Sequence, residues 1–194
     1  INEVYYMDDN FLSQKNLNKV KNYLHKNLSK FDVVILIDYG HGFINKDIYD
    51  ILAKKSKFLA INCQSNAGNF GFNLITKYPK CNYICIYEPE LRLASSNKFD
   101  SIEDIVKKNI VKKIKCKNIT ITRGRNGSLS FVNSKTVNTP ALISEKVLDT
   151  IGAGDVFLVI TSLLHSIKTD QNVTNLIGNI AGALKVDILG HSKS

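Results

Sequence analysis

Phe31-Asp32-Val33-Val34-Ile35-Leu36-Ile37-Asp38 is a continuous apolar run, rich in β-branched residues and closed by a carboxylate. A strand with one covered face alternates apolar and polar positions, so a run without alternation reads as a parallel strand buried on both faces. Phe58 to Asn62 and Tyr83 to Tyr87 read the same way, and Asn118 to Thr122 follows. Amphipathic segments fit around them: Asn16 to Leu28 before the first strand, Asp47 to Lys55 between the first and second, and Ile102 to Ile114 before the fourth. This alternation predicts an α/β fold with a largely parallel sheet between helix layers. Ser128 to Val132 and Lys135 to Asn138 then read as a hairpin, and helices over Val156 to Ser166 and about Val173 to Val186 close the pattern.

The strand ends are polar: Asp38 with Tyr39-Gly40, Asn62, Tyr87-Glu88, and Thr122-Arg123-Gly124. In open α/β sheets the ligand lies beyond the carboxyl ends of the strands, so these residues line one candidate crevice. A second signal lies at Asp149-Thr150-Ile151-Gly152-Ala153-Gly154-Asp155, which runs directly into the apolar stretch Val156 to Leu164. The first amides of a helix lack internal partners and sit at its positive end, so small residues there let an anion reach the backbone. Asp155 then faces that anion. On spacing alone two readings stand: a favourable first-turn charge, or a base that takes a proton from a hydroxyl attacking a phosphoryl group.

Composition narrows the classes. The 194 residues are 44% hydrophobic, enough for one substantial core. Lys and Arg number 26 against 17 acidic residues, a net charge of +9. The excess is lysine scattered among Asn and Ile, and Lys107-Lys108 and Lys112-Lys113 fall on the outer face of a predicted helix. A solvated face is therefore expected, with neither nucleic acid nor membrane as partner. Cys63, Cys81, Cys85 and Cys116 form no C-x-x-C pair, which argues against a thiolate metal site, and Cys81 and Cys85 are expected on one face of a strand. Free thiols, with no export signal and no spanning apolar run, point to the cytoplasm.

The string from Asp149 to Asp155 resembles the Asp-Thr-x-Gly-Ala-Gly-Asp motif of the ribokinase-like (PfkB) carbohydrate kinases at every specified position. The resemblance implies a three-layer α/β/α fold. It assigns an anion hole for the transferring phosphate to Gly152, Ala153 and Gly154, and the catalytic base to Asp155. Thr122-Arg123-Gly124-Arg125-Asn126-Gly127 is similar to the family's Thr-x-Gly-x-x-Gly nucleotide loop, which makes Thr122, Gly124 and Gly127 candidates for ATP phosphates. Tyr87-Glu88-Pro89-Glu90 stands at the family's Asn-x-x-Glu motif, with Glu90 matching as a helper for hydrated Mg2+ and Tyr87 departing. Glu88 serves if the register differs, and either glutamate equally suits a helix start.

Asp38-Tyr39-Gly40-His41-Gly42 and the segment Asn62 to Asn73 resemble the heptose-phosphate kinase branch, found joined to nucleotidyltransferase domains. This implies a sugar or sugar phosphate as substrate near Asp38 and Asn62. Asp38 equally suits a strand end that bonds turn amides, and His41 reads as a turn histidine without function. Asn179-Ile180-Ala181-Gly182-Ala183 resembles the helix that flanks adenine, with Asn179 and Ala183 as contacts; close helix packing produces the same small residues. Relatives place a monovalent cation near Asp149, Ile151 and Gly190.

The resemblance runs from about Asp32 to Gly190 and covers the later part of a family domain. The glycine-rich sugar element and β-lid of the earlier part find no match, so residues 1–194 are expected to form a single partial kinase domain. Two functions follow: an ATP-dependent phosphotransferase, or a non-catalytic nucleotide-binding or scaffolding module within a larger sugar-nucleotide enzyme. The sequence leaves sugar identity and oligomeric state open.

Overall fold

The computed structural model describes residues 10–66, 68–133, 135–142 and 147–188. A six-stranded sheet runs in chain order: β1 (Val34–Asp38), β2 (Leu59–Cys63), β3 (Tyr83–Tyr87), β4 (Asn118–Thr122), β5 (Ser128–Val132) and β6 (Lys135–Thr139). The first four are parallel and the last two add antiparallel, so the hairpin stands where the turn chemistry puts it. The first strand is shorter than its apolar run. Val34 is the first residue with a partner, Leu59, while Phe31 still caps the short turn of Leu28–Lys30 and stays half exposed.

One sheet face carries Leu36, Leu59, Ile61, Ile84, Ile86, Ile119 and Ile121. Against it pack α1 (Gln14–Asn27), α2 (Lys46–Lys55), α3 (Glu88–Ser95), the short helix α4 (Ile102–Ile105) and the wider turn at Val106–Ile110, which leads into the outer single turn α5 (Val111–Lys113). The other face carries Ala60, Tyr83, Cys85, Thr120 and Ser130, with Ile35 and Ile37 at its edge, and takes α6 (Ala153–Ser166) and α7 (Gln171–Val186). Helices on both faces make a three-layer α/β/α sandwich.

The lysines at 107, 108, 112 and 113 lie on the outer surface, and Lys107 and Lys108 pair with Glu103 and Asp104 one turn earlier. Cys81 and Cys85 do not share a face. Cys81 belongs to the first core and Cys85 to the second, because the chain bends at Cys81–Asn82 and β3 begins only at Tyr83. No helix among the described residues is long and apolar enough to cross a membrane.

Two features fix α6 and α7 relative to the strand ends. A Cβ on Gly178 would lie 2.7 Å from both Phe157 and Thr161, so the helices approach as closely as they do only because residue 178 has no side chain. Under α7 runs a buried polar chain: Thr120 and Ser130 share a hydrogen bond of 2.7 Å, Ser130 Oγ donates to Asn175 Oδ1 (2.8 Å), and Asn175 Nδ2 donates to Thr139 Oγ1 (3.2 Å). Paired this way, the buried polar atoms specify register.

Candidate active site

The carboxyl ends of β2, β3 and β4 open into a cleft of about 1000 Å³ whose far wall is α6 and α7. Asn62, Glu90, Thr122, Gly124, Gly127, Ala153, Gly154, Asn179 and Ala183 all line it, although the chain separates them by more than a hundred positions. Gly152 precedes the wall residues as the helix cap, with φ +80°, and Asp155 sits in the first turn. The helix begins three residues before the apolar run, because Gly152 adopts the left-handed backbone that ends the loop. The first helical hydrogen bond runs from Val156 N–H to Gly152 O (3.0 Å), so the amides of Gly154 and Asp155 precede the ladder. A Cβ on Gly154 would meet nothing within 4 Å. Open space over a helix start is the geometry an anion needs.

Asp155 Oδ1 accepts a hydrogen bond from Gln64 Nε2 at 2.8 Å. Glu90 accepts two backbone amides, Tyr87 N–H on Oε2 (2.8 Å) and Ser65 N–H on Oε1 (3.1 Å). Burial pushes the Glu90 carboxyl above its ordinary range, the two amides oppose that, and the charge of Asp155 adds to it. The charge of Asp155 also reaches Tyr39, whose hydroxyl is raised chiefly by burial. Tyr87 is half exposed at the mouth of the cleft, and its hydroxyl lies 3.9 Å from where a Cβ on Gly124 would stand.

The two arginines of the glycine loop divide. Arg123 turns away, donating to Asn126 O (2.7 Å) and Asn138 Oδ1 (2.6 Å), whereas Arg125 lines the cleft. Gly127 cannot be replaced without moving the backbone: its φ is +75° and a Cβ would sit 2.1 Å from Thr139 O. Asn179 Nδ2 donates to Pro140 O (2.9 Å) and tethers α7 to the loop after β6. At the floor, Asn62 Nδ2 donates to Cys85 O (2.7 Å), and Asn62 Oδ1 is buried with no partner among the described residues. Cys63 and Cys85 are held protonated by burial, Cys85 to about 12, which makes both ordinary core thiols.

Asp38 is not brought to the cleft. It is buried, accepts Tyr78 OH (2.5 Å) and Gly40 N–H (2.8 Å), and pairs with Lys77 (2.5 Å). Of the two readings open for it, the strand-end role is the one its contacts serve. His41 meets Asn66 of the loop after β2 at 3.3 Å. Asp149 Oδ1 accepts Ile151 N–H (2.9 Å), and the strand-like contact of Asp149 N–H with Val186 O (3.1 Å) ties the loop to the end of α7. Gly190, the other backbone position expected near a cation, lies outside the described residues.

Several lining residues escaped the sequence reading. Phe157, Ala141, Leu142, Val147 and Val186 give one end an apolar wall, and none has a motif to mark it. Gln64 had a usable signal, since it follows β2 directly at the ligand edge of the sheet.

Residues 7–183 match the profile of the pfkB family of carbohydrate kinases. The chain belongs to this family. The match begins ahead of Asp32 and so takes in α1. Among curated proteins, the bifunctional protein HldE of Helicobacter hepaticus is 26% identical over 177 residues, covering 89% of this chain and 36% of HldE. The bifunctional protein HldE of Koribacter versatilis is 25% identical over 165 residues, covering 84% and 33%. The chain thus spans about a third of the length of these relatives. Among solved structures, ribokinase from Thermotoga maritima superposes with a TM-score of 0.67 at 22% identity, over 85% of this chain and 53% of that one. Phosphofructokinase-2 from Escherichia coli in complex with potassium gives a TM-score of 0.75 at 14% identity, over 93% and 58%. The fold of this pfkB family member is therefore ribokinase-like, with a mostly parallel sheet between helix layers.

Proposed function

We propose that this chain is the ATP-binding and catalytic portion of a sugar kinase, residues 1–194 forming one partial kinase domain, and that it transfers a phosphoryl group to a hydroxyl of a sugar or sugar phosphate. The observation that carries this reading is the start of α6: the open backbone at Gly154 lines a cleft of about 1000 Å³, and Asp155, the next residue of the same helical turn, is bonded to Gln64 of the cleft lining (2.8 Å). Asp155 takes the proton of the attacking hydroxyl as its oxygen bonds to the γ-phosphorus of ATP, while the bond from that phosphorus to the β,γ-bridging oxygen breaks and ADP leaves. The amides of Gly152, Ala153 and Gly154 are assigned to the charge that develops on the phosphoryl oxygens; Gly154 N–H precedes the helical ladder, while Ala153 N–H also donates to Thr150 O (3.3 Å). The Thr122 to Gly127 loop and Arg125 hold the nucleotide phosphates. The apolar wall with Asn179 and Ala183 takes the adenine.

Mg2+ would neutralise the phosphates, and Glu90, a carboxylate at the cleft, is placed to hold its hydration shell. Asn62, whose buried Oδ1 has no partner among the described residues, is assigned to a substrate hydroxyl. Asp149 and the backbone near Ile151 are assigned to a monovalent cation, a reading supported by the potassium complex of the Escherichia coli structural neighbour. A heptose phosphate is the acceptor class we favour, and a nucleotidyltransferase domain the expected fused partner, because both curated relatives are bifunctional HldE proteins.

The test is Asp155→Asn in the full-length natural protein, assayed with ATP and Mg2+ against a panel of sugars and sugar phosphates. Phosphorylation should fall by about 10²- to 10⁴-fold. A fall of less than about tenfold would remove Asp155 as the base. Tyr87 in place of the family Asn favours a second reading, a nucleotide-binding module without catalysis. ATP binding by calorimetry together with no phosphorylation of any acceptor would support it.

A further inference from the structure

Gln64 is fixed on every side. Its N–H donates to Asp38 O (2.9 Å), and its carbonyl accepts Asn69 Nδ2 and Asn73 Nδ2, each at 3.1 Å. Both asparagines are buried. Asn73 Nδ2 also donates to Asp38 O (2.7 Å), and Asn69 Nδ2 also reaches Tyr39 O. The Asp38 turn, with its Tyr78 and Lys77 partners, therefore holds the backbone of residue 64 through buried hydrogen bonds. From that anchor the Gln64 side chain crosses to α6 and donates to Asp155 Oδ1 at 2.8 Å, a contact between residues 91 positions apart.

We propose that Gln64 is a positioning residue for Asp155: its amide holds one carboxylate oxygen and leaves the other to take the substrate proton. The inference rests on the reading of Asp155 as base. A carboxylate in the first turn of a helix otherwise turns back to cap its own amides, which would put it where the phosphoryl group is to lie. One fixed donor at 2.8 Å opposes that rotation. The donor's neutrality matters as well. Lys or Arg at this place would hold the oxygen more tightly and weaken its basicity, whereas an amide orients it with little electrostatic cost to proton transfer. The next residue performs a parallel task, since Ser65 N–H bonds Glu90 (3.1 Å), so one dipeptide after β2 bonds both carboxylates, Asp155 and Glu90.

The experiment compares Gln64→Met, which keeps length and removes the donor, and Gln64→Glu, which replaces the donor by an acceptor. Each is made alone and with Asp155→Asn in the full-length natural protein, assayed with ATP, Mg2+ and the best acceptor of the panel. Both single variants should lose kcat by about 10- to 30-fold, with KM for ATP and acceptor within about twofold, since misplacing a catalytic group costs rate more than binding. In the Asp155→Asn background the same changes should cost less than about twofold, because there is no base left to orient. Losses that appear mainly in KM, or that persist in full beside Asp155→Asn, would make Gln64 a merely structural residue and overturn the proposal. Single variants that match the parent while Asp155→Asn is inactive would overturn it and leave the assignment of the base intact. An active Asp155→Asn would instead remove the base, and the inference with it.

Discussion

Asp38 and Asp155 are both aspartates at the ligand edge of the sheet, and the protein treats them oppositely. Asp38 is 3% exposed and surrounded by donors, Tyr78 OH, Gly40 N–H and Lys77. Asp155 is half-buried at the start of a helix and meets one neutral side chain, Gln64. A carboxylate whose lone pairs are filled by a cation and a hydroxyl has its free energy invested in the fold. One held at a single oxygen keeps a basic site for chemistry. The two are linked through the Gln64 backbone, so the enclosed aspartate supports the one proposed as base.

This contrast makes reciprocal predictions. Asp155→Asn should abolish most phosphotransfer, by about 10²-fold or more, with a melting temperature within about 2 °C of the parent; a large loss of stability would erase the distinction. Asp38→Ala should do the reverse first. It orphans Tyr78 OH and Gly40 N–H and leaves Lys77, itself partly exposed, with Asn73 but without its ion-pair partner, so about 3 kcal/mol of stability should go, read as a fall of about 6–12 °C in thermal unfolding.

The same helix that presents Asp155 ends near a third titratable group, His165, stacked on Tyr83 with ring centroids 4.2 Å apart. Burial lowers its pKa from 6.5 to about 4. The unfolded chain therefore binds a proton that the folded chain refuses between those values, and stability falls as pH drops from 6.5 towards 4, by about 3 kcal/mol. His165→Phe should flatten that part of the acid unfolding curve while leaving the activity at neutral pH unchanged. A curve of the same slope would show that His165 is not the group responsible.

The smallest effect concerns the backbone beside Asp155. Gly154→Val places methyls in the open space over the helix start, and should lower kcat by about tenfold with little change in melting temperature. Equal activity would mean that no anion approaches there.

Much of the fold was legible because burial leaves a mark on composition. Strands β3, β4 and β5 fall at the predicted residues: β3 is a nearly unbroken apolar run covered on both faces, while β4 and β5 alternate large apolar residues with small hydroxyl residues that pair beneath α7. Errors gathered at ends: β1 starts at Val34 rather than Phe31, because a parallel ladder begins only where the partner strand does. The misplacement of Cys81 has a similar cause, a bend at Cys81–Asn82 that breaks the two-residue period. In the cleft, the glycine motifs were visible because close approach to backbone allows few residue types. Phe157, Leu142 and Val147 were not visible, since an apolar wall uses the same residues as the core.

By itself the sequence determined the α/β pattern, the anion-suited helix start at Gly152 to Asp155, and membership of a kinase family, because these depend on local spacing and on residue types that few others replace. Only the tertiary structure decided how differently the two aspartates are surrounded: Asp38 is enclosed by donors, and Asp155, the proposed base, is half-buried beside one amide. Asp38 and Asp155 look alike in the chain, and their difference comes from partners 40 and 91 positions away, Tyr78 for one and Gln64 for the other.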